Sequence, residues 1–317
     1  MNIVDTIKST HRTLISLEIV PPLRGHALEN IYKTIDPLVD FKPSFINVTY
    51  HREEVKFVPR PDGTMERRKI NRRPGSVGIA VSIKYRYNIE VVPHIICGGF
   101  SKHEIEQQLI DYSFLGFENI FALRGDPLKG EERFVPHALG HSNAVGLVKQ
   151  IADMNHGIYL DQPDLEARQT NFSIGVAGYP EKHGEAPDFD TDLKHLKEKV
   201  DAGADYIVTQ MFYDNQKFFR FVDACRAIGI DKPIIPGINP LSNINHLEVL
   251  PRLFHIEIPN DFAKEVKKCK TNDDASRIGV EWAIAQCREL KAHGVPLIHF
   301  FTMSQPNSVE NIIKHVF

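Results

Sequence analysis

The stretch SLEIVPP at residues 16–22 decides between the two folds open to this chain. It is the exit of a short apolar run, Leu14–Ile19, and it leads into Pro21 and Pro22 rather than a glycine-rich turn. A doubly wound dinucleotide-binding sheet carries its glycine fingerprint at that first strand-to-helix turn. Further short runs rich in Ile, Val or Phe follow at Phe45–Val48, Val91–Ile95, Asn119–Leu123, Ser173–Ala177, Tyr206–Val208, Ile234–Ile235 and Leu297–Phe301. Runs of that length and composition suit buried parallel strands. Between them, Leu28–Leu38, Val77–Tyr87, Lys102–Leu115, Ala144–Asp153, Asp192–Ala202 and Asn215–Ile228 space their apolar residues by three and four, as amphipathic helices do. Ser101 with Glu104 is a capping-box pair, and Gly116 and Gly229 stand where helices should end. Ser242–Lys268 reads as two helices broken at Pro259, Asp273–His293 as one long helix, and Gln305–Val316 as the last. Alternating strands and helices of this number predict a (β/α)8 TIM barrel. The open doubly wound sheet shares the alternation and is the alternative.

The chain has 317 residues, 38 Lys+Arg against 41 Asp+Glu, and a formal net charge of −3, which speaks against a generic nucleic-acid binder. Its length fits one barrel with additions, and we expect a single catalytic domain over residues 1–317. The additions fall at 52–73, which mixes eight Lys/Arg with four acids, and at 155–171. The first is read as a solvated loop before any anion-binding role is considered. No apolar run is long enough for a membrane span and the N-terminus lacks a signal-peptide pattern, so a cytoplasmic protein is expected. Cys97, Cys225, Cys269 and Cys287 form no metal-ligand spacing, so neither a metal site nor a disulfide framework is expected. No H-E-x-x-H or G-x-S-x-G occurs, which removes zinc-protease and serine-hydrolase chemistry.

Barrel active sites lie at the C-terminal ends of the strands. The residues there are Glu18, Thr49-Tyr50, His94, Arg124-Gly125-Asp126, Tyr179, Thr209-Gln210, Pro236-Gly237, and His299 with Thr302. Glu18 is an acid inside an apolar strand; burial disfavours a charged carboxyl and so suits a general acid, although pairing with a barrel cation would also explain it. Asp126 follows Gly125, which permits close backbone approach to a ligand, but Asp-Pro is also an ordinary turn. Gln210 can donate and accept toward a heterocycle, or be a satisfied buried amide. His94 reads first as structural. Asp192 and Lys199 lie two helical turns apart on one face and read first as a surface pair.

These residues stand within motifs that resemble one family, the methylenetetrahydrofolate reductases. The likeness runs along nearly the whole chain: SLEIVPP at 16–22, FINVTY at 45–50, VVPHIIC at 91–97, NIFALRGDP at 119–127, VAGYPEKHGEA at 176–186, DLKHLKEKVDAGADYIVTQMFYD at 192–214, IIPGINPLSN at 234–243 and HFFTM at 299–303. The resemblance implies a barrel with non-covalent FAD that reduces 5,10-methylenetetrahydrofolate to 5-methyltetrahydrofolate with electrons from NADH or NADPH, within one-carbon and methionine metabolism, in a homo-oligomer. It implies Glu18 as the general acid that helps open the imidazolidine ring, and Asp126 as the carboxylate near flavin and pterin. Flavin contacts would fall on Thr49, Tyr50, Arg52, His94, Arg124, Gly125, Asp126, Ala144, Tyr179, His183, Ala186, Asp192, His195 and Lys199. Substrate contacts would fall on Asp126, Gln210, His246 and Gln305. Glu198 also matches by position, but a carboxylate beside a diphosphate is repulsive. The family often reads HFYTLNR where this chain has HFFTMSQ, so Phe301 replaces a tyrosine and Gln305 stands where an arginine often meets folate. The basic segment 52–73 would compensate by offering cations to FAD or to the glutamate tail. A pterin-dependent barrel methyltransferase or lyase, and a non-catalytic folate- or flavin-binding barrel, are the other readings.

Overall fold

The computed structural model describes residues 2–70, 72–128, 131–162, 167–303 and 305–317. Eight parallel strands close into a barrel in the order β1 (Leu14–Ile19), β2 (Phe45–Val48), β5 (Glu90–Ile96), β6 (Asn119–Leu123), β7 (Ser173–Gly178), β8 (Tyr206–Met211), β9 (Ile234–Ile238) and β10 (Leu297–Phe301), and β10 returns to β1. Closure is a register of five pairs, from Leu14 opposite Leu297 to Glu18 opposite Phe301. This is the (β/α)8 barrel; the open sheet is excluded because the first strand is hydrogen-bonded on both sides.

Helices α2 (Glu29–Ile35), α3 (Ser76–Tyr87), α4 (Lys102–Phe114), α5 (Ala144–Asn155), α6 (Phe189–Asp201), α7 (Asn215–Ala227) and α10 (Asn272–Ala292) surround it. The Ser101–Glu104 capping box opens α4 as the sequence predicts, with both reciprocal bonds made. Pro259 caps α9 (Asn260–Lys267), which follows α8 (His246–Phe254). Helix α11 (Pro306–Val316) packs Val309, Ile312 and Ile313 into the main core.

Two elements are absent from the sequence reading. Helix α1 (Ile3–Lys8) closes the N-terminal end of the barrel: Ile3 and Ile7 join the interior cluster of Phe45, Val92, Phe121, Tyr206 and Leu297. Its Ile3 amide donates to Asn119 Oδ1 at 3.1 Å. The segment 52–73 is not a plain loop. It holds an antiparallel hairpin, β3 (Glu54–Pro59) with β4 (Met65–Ile70). Asp62 Oδ1 takes the Thr64 amide and hydroxyl, and Gly63 turns the chain at φ +82°. Charge on this ribbon masked its alternation; Phe57 and Met65 are 62% and 57% exposed, so no buried face reinforces the strand pattern. Asn155 ends α5, and beyond it the addition at 155–171 carries no helix or strand in its described residues; 163–166 lie outside them.

The strands β8 and β9 run further than the apolar pattern suggests. A register irregularity between Val208 and Met211 lets Thr209 Oγ1 accept the Gly237 amide at 3.0 Å. A Cβ on Gly237 would lie 2.3 Å from the Thr209 carbonyl oxygen, so only glycine allows this approach. The irregularity places Gln210 at the barrel rim.

Candidate active site

Glu18 sits near the end of β1 with its side chain 14% exposed. Its Oε2 is 3.5 Å from His94 Nε2 and 3.7 Å from His299 Nε2. Ser16 holds His299 from behind, whereas Asn47 meets the same His94 nitrogen that faces Glu18. Ser16 Oγ meets His299 Nδ1 at 2.8 Å, and Asn47 Nδ2 meets His94 Nε2 at 3.1 Å. Ser16 and Glu18 point the same way because side chains alternate along a strand. The Ser16–His299 contact is direct because the two residues are paired in the register. Phe45 stacks on the His299 ring and Phe121 lies against His94. Burial pushes the His94 imidazole down to about 4, and the nearby Glu18 carboxylate only partly opposes this. A neutral His94 is therefore the resident form at neutral pH. His299 Nε2 is buried without a hydrogen-bond partner among the described residues.

Thr302 fastens the end of β1, since its amide and hydroxyl both donate to the Glu18 carbonyl oxygen, at 3.1 Å and 2.7 Å. Asp126 is exposed beyond β6, after Gly125 at φ +87°. His51, which the sequence reading passed over, lies within electrostatic reach of both Glu18 and Asp126; burial and the Arg73 guanidinium lower its basicity. Its signal was its place directly after Thr49-Tyr50 at a strand exit. His299 was visible as a strand-end residue, but its partnership with Glu18 needs the β1–β10 closure.

The other side of the mouth is cationic. Lys199 reaches from α6 to the Ala177 carbonyl oxygen at 2.6 Å, and burial pulls its ammonium down to about 8 against the influence of Asp192. Asp192 Oδ2 accepts the His183 amide at 3.0 Å. Tyr179 crosses the His183 ring edge-on at 4.8 Å, and burial raises its hydroxyl. His183 is lowered by burial and by Arg124. Arg124 itself makes a two-pronged ion pair with Glu185, whose carboxyl is thereby held low, and its guanidinium lies 4.9 Å above the Phe134 ring. Arg52 Nη1 is 3.5 Å from the Asp126 carbonyl oxygen. Thr49 and Tyr50 are half-buried at the β2 exit, and the buried Thr49 Oγ1 has no partner among the described residues.

The strand ends thus bring Glu18, Thr49, Tyr50, His94, Arg124, Gly125, Tyr179 and Gln210 to one rim. Gln210 Oε1 accepts the Met211 amide at 2.9 Å, which leaves its Nε2 to donate. Ala144 opens α5, Ala186 is buried in the β7–α6 connection, and His195 is exposed on α6 one turn before Lys199. His246 opens α8 with Nδ1 facing the Ser242 amide at 3.5 Å. Gln305 caps α11, is exposed, and engages the Thr302 carbonyl through its backbone amide.

Compared with known proteins, residues 3–316 match the family model described as methylenetetrahydrofolate reductase. The chain belongs to the methylenetetrahydrofolate reductase family. It is 32% identical over 294 residues to 5,10-methylenetetrahydrofolate reductase of Escherichia coli, covering 92% of this chain and 86% of that one. Against methylenetetrahydrofolate reductase (NADH) 1 of Arabidopsis thaliana it is 32% identical over 329 residues, covering all of this chain and 51% of that protein. The chain spans about half the length of the plant relatives it matches. Among solved structures, an uncharacterized Clostridium thermocellum protein that binds two copies of 5-methyl-5,6,7,8-tetrahydrofolic acid superposes with a TM-score of 0.57 at 14% identity, over 98% of this chain and 96% of that one. That likeness is one of fold. Among the described residues no helix is long and apolar enough to cross a membrane.

Proposed function

We propose that this family member reduces 5,10-methylenetetrahydrofolate to 5-methyltetrahydrofolate with FAD and a nicotinamide donor, NADH or NADPH. The observation that carries the reading is Glu18: one carboxyl at the barrel mouth, set between two imidazoles and opposite Asp126, inside motifs of the family. Two features of the rim fit FAD. The desolvated Lys199 ammonium has a single backbone carbonyl as hydrogen-bond partner among the described residues, and an anion beside it would relieve its burial. The side-chain-free Gly125 follows the neighbouring β6, and the buried Thr49 Oγ1, three strands around the rim from β7, has no partner among the described residues. Lys199, His183 and Arg124 would hold the diphosphate, with Tyr50, Arg52, His94, Tyr179, Ala144, Ala186, Asp192 and His195 around the rest. When bound, the flavin supplies hydride transfer between the nicotinamide and the folate.

The protein's own part is positioning and one proton. Glu18 donates to the ring nitrogen as the folate imidazolidine opens, which leaves the methylene carbon electron-poor. A neutral His94 beside it brings no positive charge to the carboxyl. Asp126 accepts from the pterin edge, and Gln210 donates through Nε2 to whichever heterocycle occupies the site. Donor and folate would use one face in turn, which predicts ping-pong kinetics. His246 and Gln305 lie farther along the rim and would meet the folate beyond the pterin. A single catalytic domain, operating in the cytoplasm as a homo-oligomer, completes the reading.

The test is direct. The purified protein should be yellow, absorb at about 450 nm as oxidised flavins do, and bleach anaerobically with a nicotinamide donor. Methylenetetrahydrofolate should then restore the colour. A colourless protein that cannot be reconstituted with FAD would end the proposal.

A further inference from the structure

Between Gly178, which ends β7, and Phe189, which opens α6, the chain has neither helix nor strand. Its residues 179–186 carry Tyr179, His183 and Ala186, all proposed above to surround the flavin. Order here must come from contacts, and several of them close locally. Lys182 Nζ donates to the Ala186 carbonyl oxygen at 2.7 Å, the Glu185 amide to His183 Nδ1 at 3.2 Å, and the His183 amide to Asp192 of α6. One side chain reaches the other way. Glu181 Oε2 accepts from Lys217 Nζ on α7 and from the Glu257 amide between α8 and α9, each at 2.8 Å. Lys217 Nζ also meets Glu257 Oε2 at 2.7 Å. Among the described residues, no other side chain of 179–186 hydrogen-bonds to α7 or to the α8–α9 connection.

Exposure separates the strong bond from the weak one. The Glu181 and Lys217 side chains are 11% and 17% exposed, whereas that of Glu257 is 81% exposed. An exposed ion pair contributes little, but a buried carboxylate stripped of its cation is costly. Burial raises the Glu181 carboxyl, and the Lys217 ammonium opposes this. Glu181 Oε1 is buried with no hydrogen-bond partner among the described residues, so Oε2 makes the whole attachment. Lys217 stands in the first turn of α7, after its Asp214 cap. A cation there opposes the helix dipole, so α7 alone does not account for its place. Packing continues the tie. The His255 ring, at the left-handed end of α8, lies so close to Gly184 that a Cβ there would fall 2.1 Å from the ring's Cδ2.

We propose that Glu181, held by Lys217, is a positioning residue that fixes segment 179–186 in the shape that receives the flavin. The inference rests on the flavin reading above. Neither side chain touches the cofactor; both act through the backbone that joins Tyr179 to His183. Asp192 holds that backbone from the α6 side and Glu181 holds it from the α7 side, so the segment is clamped between two helices. A site held in shape before its ligand arrives loses less conformational freedom on binding.

The experiment is fluorimetric titration of the flavin-free full chain with FAD, together with amide hydrogen exchange of the same proteins read by mass spectrometry. Lys217→Met should weaken FAD binding about tenfold or more and speed exchange in 179–186, with α11 as protected as before. Lys217→Arg keeps the cation and should return affinity to within about threefold of wild type. Lys314→Met, in the exposed pair with Glu310 on α11, is the control and should stay within about twofold. Glu181→Gln, which still accepts the Glu257 amide, gives the same readout if Lys217→Met misfolds. Unchanged FAD affinity in these variants overturns the assignment, while wild-type binding leaves the flavin reading intact. A loss accompanied by faster exchange throughout the barrel, or one that Lys217→Arg does not relieve, overturns it too, since the pair would then be a general prop. If the wild-type chain binds no FAD, the flavin reading fails and the positioning role with it.

Discussion

Replacing Lys199 with methionine should stabilise the flavin-free protein and weaken flavin binding at once. Methionine keeps most of the stem's volume but removes the ammonium. In the native chain that ammonium is held from 10.5 down to about 8 by burial, which corresponds to about 3 kcal/mol of unfavourable desolvation at neutral pH. The variant loses the contact with the Ala177 carbonyl as well, worth about 1 kcal/mol. The net expectation is a gain of about 1–2 kcal/mol for the apoprotein, a rise of about 1–3 °C in Tm. Flavin affinity should fall about 10–100-fold, because a charge-assisted contact to the diphosphate disappears. The pH dependence follows from the same group. With a lowered folded value, the unfolded chain binds more protons between about 8 and 10.5. Apoprotein stability therefore rises with pH through that window, and the rise should vanish in the variant. An anion at the ammonium favours its charged form, so flavin affinity should decline as pH climbs above about 8. Differential scanning calorimetry of the apoprotein and fluorimetric flavin titration from neutral to alkaline pH measure both halves. A variant that melts at or below the wild-type temperature and binds flavin equally well would refute the reasoning.

Two further perturbations separate chemistry from scaffold. Glu18→Gln preserves shape and the approach to His94 and His299, so anaerobic flavin reduction by the donor should stay within about twofold. The folate half-reaction should slow by about 10²–10⁴, and stopped-flow kinetics that find both halves equally fast would remove Glu18 from the mechanism. Gly279→Ala tests the packing of α10: the added Cβ would lie 1.9 Å from the Leu241 carbonyl oxygen. Thermal unfolding should show a loss of about 2–4 kcal/mol; an unchanged Tm would contradict the close approach.

Much of the barrel was legible because its strands are buried on both faces. Such strands need continuous Ile, Val and Phe, as in Phe45–Val48, where all four residues are buried. The strand ends were less distinct. Thr209, Gln210, Pro236 and Gly237 look like loop residues, yet they belong to β8 and β9, because the irregular pairing between those strands satisfies their backbone. The β3–β4 hairpin was hidden for the opposite reason: it buries too little to impose a pattern, and its charges dominate the composition. Helix α1 is only six residues long, and its burial under the barrel, not its propensity, holds it.

For the site, Glu18, Asp126 and the Arg124-Gly125 pair could be found from residue type at strand exits, since polar groups inside apolar runs are costly and so conspicuous. The partners could not. Ser16 and His299 are separated by 283 positions and meet through the β1–β10 closure, while Asn47 and His94, 47 apart, meet through the β2–β5 register. Charge states belong to the same category. Nothing in the order of residues sets a histidine at about 4 or a lysine at about 8; desolvation by neighbours remote in the chain does. The alternation of strand and helix, the family, and the acid at the first strand's exit could all be read from the order of residues, because these depend on local pattern. The tertiary structure set which imidazoles flank that acid, which cations lie across the rim, and that the chain after the hairpin brings Arg73 to the Pro21 carbonyl beyond β1, because those depend on how a closed ring of strands sets distant residues side by side.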